Sequence, residues 1–433
     1  MRGRAKKQDY DNINFVCDFR PKTLNGYSEE QIESDTYLQE VQELYKRQTQ
    51  ERSTLLEFGN LNLSTMDISL NAVDRVTLSD KQNTHVFPEN GQIIVKKNRD
   101  FEFKGWFNAG KLEVNTQTAS YNYEENKVNL IKTKESLFRI KPLNPQHGNT
   151  GIAMETVIQG IEGEIFVDAP ENRSGNSDKF PNYPSLNVKK PSYVYYNSPA
   201  IYKGAYDSTR FYYTLQPFVL DSLDNFTEKS LRLKGELTSA GIFPAIKEDL
   251  KIMPDYSFGF STTAPTAGLD FYGTGAKYEN KILLSNKGLQ GAGTINFVQS
   301  TSISKDLLTF LPDSTLGLVS FVNRPVETGI QFPDASSDEA YMTYIPKQKI
   351  LKAASTPKND FKFFGDEQAK LRGTAYVTPE GMRGKGMMTF ATASLVSDDF
   401  VYKRWDIDAD TSGFNLKNSY QEEGEDPLAF ETN

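Results

Sequence analysis

Lys287-Gly-Leu-Gln-Gly-Ala-Gly-Thr-Ile-Asn-Phe297 and Glu380-Gly-Met-Arg-Gly-Lys-Gly-Met-Met-Thr-Phe390 decide how this chain is read. Side by side they keep Gly288/Gly381, Gly291/Gly384, Gly293/Gly386 and Phe297/Phe390. The match runs on without a gap to Ser304/Ser397, Asp306/Asp399 and Leu307/Phe400. The shared template is G-Φ-x-G-x-G-x-Φ-x-Φ followed by S-x-D-Φ, with Φ apolar. Its glycine order, G-x-x-G-x-G, is not that of the dinucleotide fingerprint, and no helical pattern follows whose N-terminus would hold a phosphate. Gly273-Thr-Gly-Ala-Lys277 likewise lacks the P-loop spacing. Glycines spaced this way supply positive φ at a tight turn and let strands approach closely. A fainter echo joins Phe101-Glu-Phe-Lys-Gly105 to Leu231-Arg-Leu-Lys-Gly235, each continuing through an apolar residue to Ala-Gly. Such repetition implies stacked β-units, each burying its apolar face against a neighbour, and the long interval makes each unit a multi-strand layer.

Working outward, the same two-residue period fills most of the chain. Gly91–Phe107 reads GQIIVKKNRDFEFKGWF, alternating at Ile93, Val95, Phe101 and Phe103, with Lys104-Gly105 closing the run. Comparable runs are Val128–Ile131, Gly163–Val167, Tyr193–Tyr196, Phe211–Leu215 and Leu371–Val377, and turn signals at 88–91, 176–178 and 379–381 lie between them. Composition agrees: 28 Phe and 22 Tyr against 2 Trp and 8 Met suit half-buried pleated surfaces. Only Ser28 to about Leu56 has a helical pattern, with Ile32, Leu38, Val41, Leu44 and Tyr45 on one stripe and Ser28 placed to cap. It reads as a packing or linking helix, with a partner-binding helix as the alternative. The expected fold is mainly β, in stacked antiparallel or solenoid-like layers with a short N-terminal helical segment. The expected divisions are 1–57 helical or linker, 58–160 a β-layer unit, and 161–345 and 346–433 β-repeat units, the last truncated.

Charge and residue counts exclude several chemistries. Lys plus Arg number 49 and Asp plus Glu 57, a net charge of -8 with the signs mixed along the chain, so nothing favours a nucleic-acid partner. Cys17 is the single cysteine, which rules out an internal disulfide and a multi-cysteine metal site. No apolar run is long enough for a membrane-spanning helix, and the basic opening MRGRAKKQDYDN has no apolar stretch behind it to make a signal peptide. The charged opening and the apolar patch beginning at Phe430 read as cut ends of a larger polypeptide. His85 and His147, the only histidines, lie among turn residues and read as exposed loop positions outside any metal pair or nucleophile elbow.

Carboxylates are the remaining candidates. Asp406-Ile-Asp-Ala-Asp410 opens like a calcium loop, with oxygen ligands at alternate positions on Asp406, Asp408 and Asp410. It departs from that loop where Thr411 replaces the turn glycine and Lys417 the bidentate glutamate; the competing reading is a solvated strand end, with no cofactor. Asp168-Ala-Pro-Glu-Asn-Arg-Ser-Gly175 reads as a rigid turn after a strand, with Arg173 placed to pair with Asp168. As an enzyme, the chain would draw its acids from Asp168, Asp306 and Asp399, in the two-carboxylate manner of glycoside hydrolysis. That Asp306 and Asp399 are repeat equivalents argues instead for a turn-forming duty. Tyr193–Tyr196 and Tyr202–Tyr213 offer rings on which sugars stack, or packed cross-strand pairs.

The phrases KNRDFEFKG, GEIFVDAPENRSG, YPSLN, YVYY, FYYTLQPF, LDSLDNF, GIFP, PDYSFGF, LLSNKGLQGAGTI, FLPDS and EGMRGKG follow one another from residue 97 onward. In that order they resemble the very long β-rich repeat proteins of Bacteroidota, a group with no established activity, over roughly the last three quarters of the chain. The resemblance implies a bacterial envelope or surface context and a longer polypeptide. The expected function is therefore a non-enzymatic structural or binding β-repeat segment. Its partners would be other segments of the same polypeptide, envelope proteins or glycans. A carbohydrate-active enzyme on an elongated β fold is the alternative.

Overall fold

The computed structural model describes residues 3–9, 12–17, 59–132, 138–140, 143–144, 150–151, 154, 156–173, 177–227, 229–409 and 413–416. The described residues are mainly β, arranged in antiparallel sheets, with only short 3-10 turns as helical elements. The helix expected over Ser28 to Leu56 lies outside the described residues. Within the same N-terminal stretch, Gly3–Asp9 and Asn12–Cys17 pair as antiparallel strands. Among the described residues no helix is long and apolar enough to cross a membrane.

The chain gathers into two compact units. The first comprises residues 1–153, 157–192 and 217–227. Its strands pair antiparallel largely in chain order. Asn12–Cys17 pairs with Gly59–Asn62, then Ile68–Leu70, Ile93–Val95, Phe101–Ala109, Leu112–Asn122, Lys127–Lys132, Gly163–Phe166, Ser185–Val188 and Phe218–Leu220. Alternation decides which face is buried: in Phe101–Ala109 the odd positions Phe101, Phe103, Phe107 and Ala109 go inside.

Gly105 does not close that run, contrary to the sequence reading. The strand continues to Ala109, and Gly105 is the point where it changes partner, from Ile93–Val95 to Thr84–Pro88. The ladder to Leu112–Asn122 shifts register between Phe103 and Gly105, and φ at Gly105 is 128°. A Cβ there would lie 2.3 Å from the Phe87 carbonyl oxygen, so only glycine admits the bulge. Its echo Gly235 permits the same close approach, since a Cβ there would lie 2.1 Å from the Thr214 carbonyl oxygen, and both copies end in positive-φ turns at Gly110 and at Ala240-Gly241.

The second unit comprises residues 154–156, 193–216 and 228–433. Its main feature is a sheet of 15 strands whose path follows the sequence from Lys251–Ile252 to Ile407–Ala409. The longest members are Phe258–Phe271, Ala276–Ser285, Gly288–Phe297, Ser314–Asn323, Ala335–Ile345, Asp366–Thr378, Gly381–Thr389 and Ala393–Tyr402. The sequence division at 345/346 falls inside one hairpin of this sheet, since Ile345 pairs with Ile350. Inner-face rings meet across strands that are not neighbours. Phe271 stacks on Tyr344 at 5.7 Å and Phe363 on Tyr402 at 4.5 Å, while Phe297 meets Tyr344 edge-on. The sheet thus curls over its own aromatic face, each buried Phe contributing about 1.5–3 kcal/mol.

The two template stretches occupy like places in that sheet. Gly288 and Gly381 are each the first residue after a two-residue loop, opposite Ser285 and Thr378, with φ of 81° and 148°. In both loops the hydroxyl before the turn accepts an amide two residues on, from Lys287 at 3.1 Å and Glu380 at 3.2 Å. Gly291 and Gly384 lie under aromatic rings: Cβ atoms would meet the Tyr278 hydroxyl at 2.3 Å and Phe310 at 2.7 Å in one copy, Tyr402 at 2.7 Å in the other. Gly293 and Gly386 face the repeat-equivalent serines, the Gly293 amide donating to Ser304 Oγ at 2.8 Å and Gly386 pairing with Ser397.

Candidate functional site

Asp168 is the most enclosed of the proposed acids, 1% exposed at the end of the strand Gly163–Phe166. Pro170 sets the following 3-10 turn, Pro170–Asn172, which swings Asn172 inward. The carboxylate then accepts from Gln82 Nε2 at 3.1 Å, Asn172 Nδ2 at 3.0 Å and the Ala169 amide at 2.7 Å. Asn126 donates to the Asp168 carbonyl at 3.2 Å and accepts from the Tyr121 hydroxyl at 2.9 Å. A buried carboxylate needs its lone pairs filled, and neutral amides fill these. Arg173 is not a partner, which corrects the sequence reading: the same turn that brings Asn172 in carries Arg173 out. Its guanidinium donates to the Glu124 carbonyl and lies over the Tyr123 ring at 4.7 Å.

The other two acids have separate surroundings in the second unit. Asp306 is exposed in the bend after Ser300–Ser304. Asp399, half-buried on Ala393–Tyr402, pairs with Arg383 at 3.2 Å on the adjacent strand, and its own amide donates to Ser397 Oγ.

Of the expected calcium run, Asp408 lies on Ile407–Ala409 opposite Val401, and its carboxylate takes the Lys403 ammonium at 2.6 Å. That hydrogen bond holds Lys403 above its ordinary range. Asp406 is exposed and offers its carbonyl to the Lys403 amide, while Asp410 lies outside the described residues. Among the described residues, no three His, Cys, Asp or Glu side chains are grouped to hold a metal ion.

His85 corrects another expectation. It is on the strand Thr84–Pro88 and buried, its Nδ1 3.2 Å from Thr77 Oγ1. Burial first, then the Arg75 charge, lowers its pKa below the ordinary 6.5. Turn-like neighbours in sequence misled the reading, because Gln82-Asn83 form the turn and the strand begins one residue before the histidine. His147 lies outside the described residues.

The tyrosine runs divide as strands do. Tyr196, Tyr206 and Tyr213 go inward and donate to the carbonyls of Phe258, Phe310 and Glu248, burial pushing all three phenols upward. Tyr193, Tyr195 and Tyr212 are partly exposed and make one cluster, with centroids 6.0–6.5 Å apart. Tyr202, 38% exposed, shares a hydrogen bond with Thr309 at 2.9 Å. Two shallow hollows in this unit are polar, one of about 350 Å³ lined by Arg232, Lys247, Glu248, Asp249 and Lys251, the other of about 250 Å³ lined by Asp338, Lys358, Asp360, Lys362 and Lys370. The sequence reading missed both, and it missed the placing of Arg99 and Arg173 on Tyr123, because each is assembled from separate loops. No protein-family model matches the chain, and no curated protein or solved structure was found similar to it.

Proposed function

We propose that this chain is a structural or binding β-repeat segment, without catalysis of its own, in a large bacterial envelope or surface protein. The observation that carries the reading is the duty of the reused residues. Gly288/Gly381 follow two-residue loops, Gly291/Gly384 accept an aromatic ring, and Gly293/Gly386 face Ser304/Ser397. Positions kept for backbone geometry support a body that is extended by repetition, in the way layered repeats add stability through their neighbours. The proposed partners are further segments of the same polypeptide, envelope proteins, or glycans meeting the Tyr193–Tyr195–Tyr212 cluster. Fractionation of the producing cells should find the protein with the envelope. Plant and algal polysaccharides incubated with it should release no reducing ends. Release that disappears in Asp399→Asn or Asp168→Asn would replace this reading with that of a carbohydrate-active enzyme.

A further inference from the structure

Three loops of the first unit bring two guanidinium groups to one phenol. Arg99 comes from the turn between Ile93–Val95 and Phe101–Ala109, Tyr123 directly follows Leu112–Asn122, and Arg173 follows the 3-10 turn Pro170–Asn172. Arg99 donates to the Tyr123 hydroxyl at 2.9 Å, and its guanidinium carbon lies 5.0 Å from the ring centroid. Arg173 lies 4.7 Å from the same centroid. Both arginines are exposed. The Arg99 hydrogen bond, and then its charge, draws the Tyr123 phenol below its ordinary range, and Arg173 adds to the effect.

Like charges gathered at one point repel unless an anion stands between them. Among the described residues neither guanidinium has a carboxylate partner, although acids are at hand. Asp100 is taken by the Tyr123 amide at 2.7 Å and by Asn98 Nδ2 at 2.8 Å. Glu125 pairs with Lys127, and Glu124 offers Arg173 its backbone carbonyl. Arg99 also holds φ at 73°, a conformation side-chain-bearing residues rarely adopt and one that the Lys96–Asp100 turn maintains with backbone bonds at 2.9 and 2.7 Å. The turn thus orients a planar fork of donors, and such forks match oxyanions.

We propose that Arg99, Arg173 and the Tyr123 hydroxyl form a binding site for a ligand oxyanion: a carboxylate, a sulfate or a phosphate. The site is independent of the repeat-body function above. The guanidinium groups supply charge and paired N–H donors, and the phenol adds one O–H once Arg99 turns toward the ligand. Because both arginines face water, binding of a lone anion is expected at about millimolar Kd and weakens with salt.

The test titrates the full chain by calorimetry with sodium glucuronate, sodium sulfate and sodium phosphate, each against sodium chloride at matched ionic strength. The three salts separate a sugar carboxylate from sulfate and phosphate sources. Saturable binding of at least one is expected, weakened about tenfold in Arg99→Ala and in Arg173→Ala and lost in the double variant. Bound oxyanion also competes for the Arg99 guanidinium. The ultraviolet titration of Tyr123, obtained by difference from Tyr123→Phe, should therefore move to higher pH as the anion is added. Arg99→Lys with Arg173→Lys keeps the charge and the fold but loses the forks, and its preference for oxyanion over chloride should fall several-fold. No saturation by any of the three up to about 50 mM, or equal binding by the native chain and the double lysine variant, overturns the proposal.

Discussion

Gly291→Ala tests whether the repeated glycines are there for backbone geometry. The added Cβ would lie 2.3 Å from the Tyr278 hydroxyl, 2.6 Å from the Lys281 carbonyl oxygen and 2.7 Å from the Phe310 ring. Neither strand carbonyl nor buried ring yields cheaply, so overpacking costs about 1–3 kcal/mol. Displacing Tyr278 breaks its 2.6 Å bond to the Lys281 carbonyl, about 1 kcal/mol more. Replacing glycine within a strand returns about 0.5–1 kcal/mol of backbone entropy. The net expectation is a loss of about 2 kcal/mol. Urea unfolding of the full chain measures the loss, and amide exchange across Gly288–Phe297 locates it. Tyr278→Phe removes the nearest clashing atom, so the double variant should lose less than the two singles together, by about 1 kcal/mol. Gly413→Ala is the control: nothing lies within 4 Å of its added carbon, and the change should stay within about 0.5 kcal/mol. Strict additivity of the two singles, or a Gly291→Ala chain as stable as the native one, would refute the reasoning.

Gly384→Ala should reproduce the loss by forcing back Tyr402, whose ring stacks on Phe363, and Tyr402→Leu should suppress it; independence of the two sites in a double-variant cycle would count against a shared design. Asp168→Ala removes the acceptor from three buried donors and should cost about 3 kcal/mol in urea unfolding, while a change below about 0.5 kcal/mol would show the node to be dispensable. His85 has its folded pKa below the unfolded value, so the unfolded chain binds the proton more readily. Its contribution is complete above about pH 6.5 and is lost as pH falls through the lowered folded value. The Tm should therefore drop between pH 7 and pH 5 by more in the native chain than in His85→Gln, and equal slopes would contradict this. Calcium titrated into the native chain should give no saturable heat, since Lys403 already occupies the Asp408 carboxylate; a heat abolished by Asp408→Ala would restore the calcium reading.

The sheet was legible because its period and its punctuation agree. Phe101, Phe103 and Phe107 alternate and are buried, and the glycine template marks equivalent turns and ring contacts in two copies. Gly105 shows the limit: a glycine after an alternating run signals either a stop or a bulge, and the partner strand Thr84–Pro88, far off in the pattern, decides which. His85 shows it again, since Asn83-Thr84-His85 has turn composition while its burial depends on the strand Val76–Ser79 opposite. Sequence nearness suggested an Asp168–Arg173 pair, yet one 3-10 turn separates their directions and gives Asp168 to Gln82, from a distant segment. Tyr123 left no signal, because the residues that make it notable, Arg99 and Arg173, arrive from different loops.

In the second unit nearly every strand pairs with the one just before or just after it in the chain. Two adjacent strands and their short loop can therefore be duplicated or deleted as a block, since the flanking strands still run in opposite directions and meet each other's backbone. Lineages carrying this segment can change its reach in such two-strand steps without rethreading the remainder. The same locality lets the chain fold progressively, each hairpin docking on the last before distant residues have emerged.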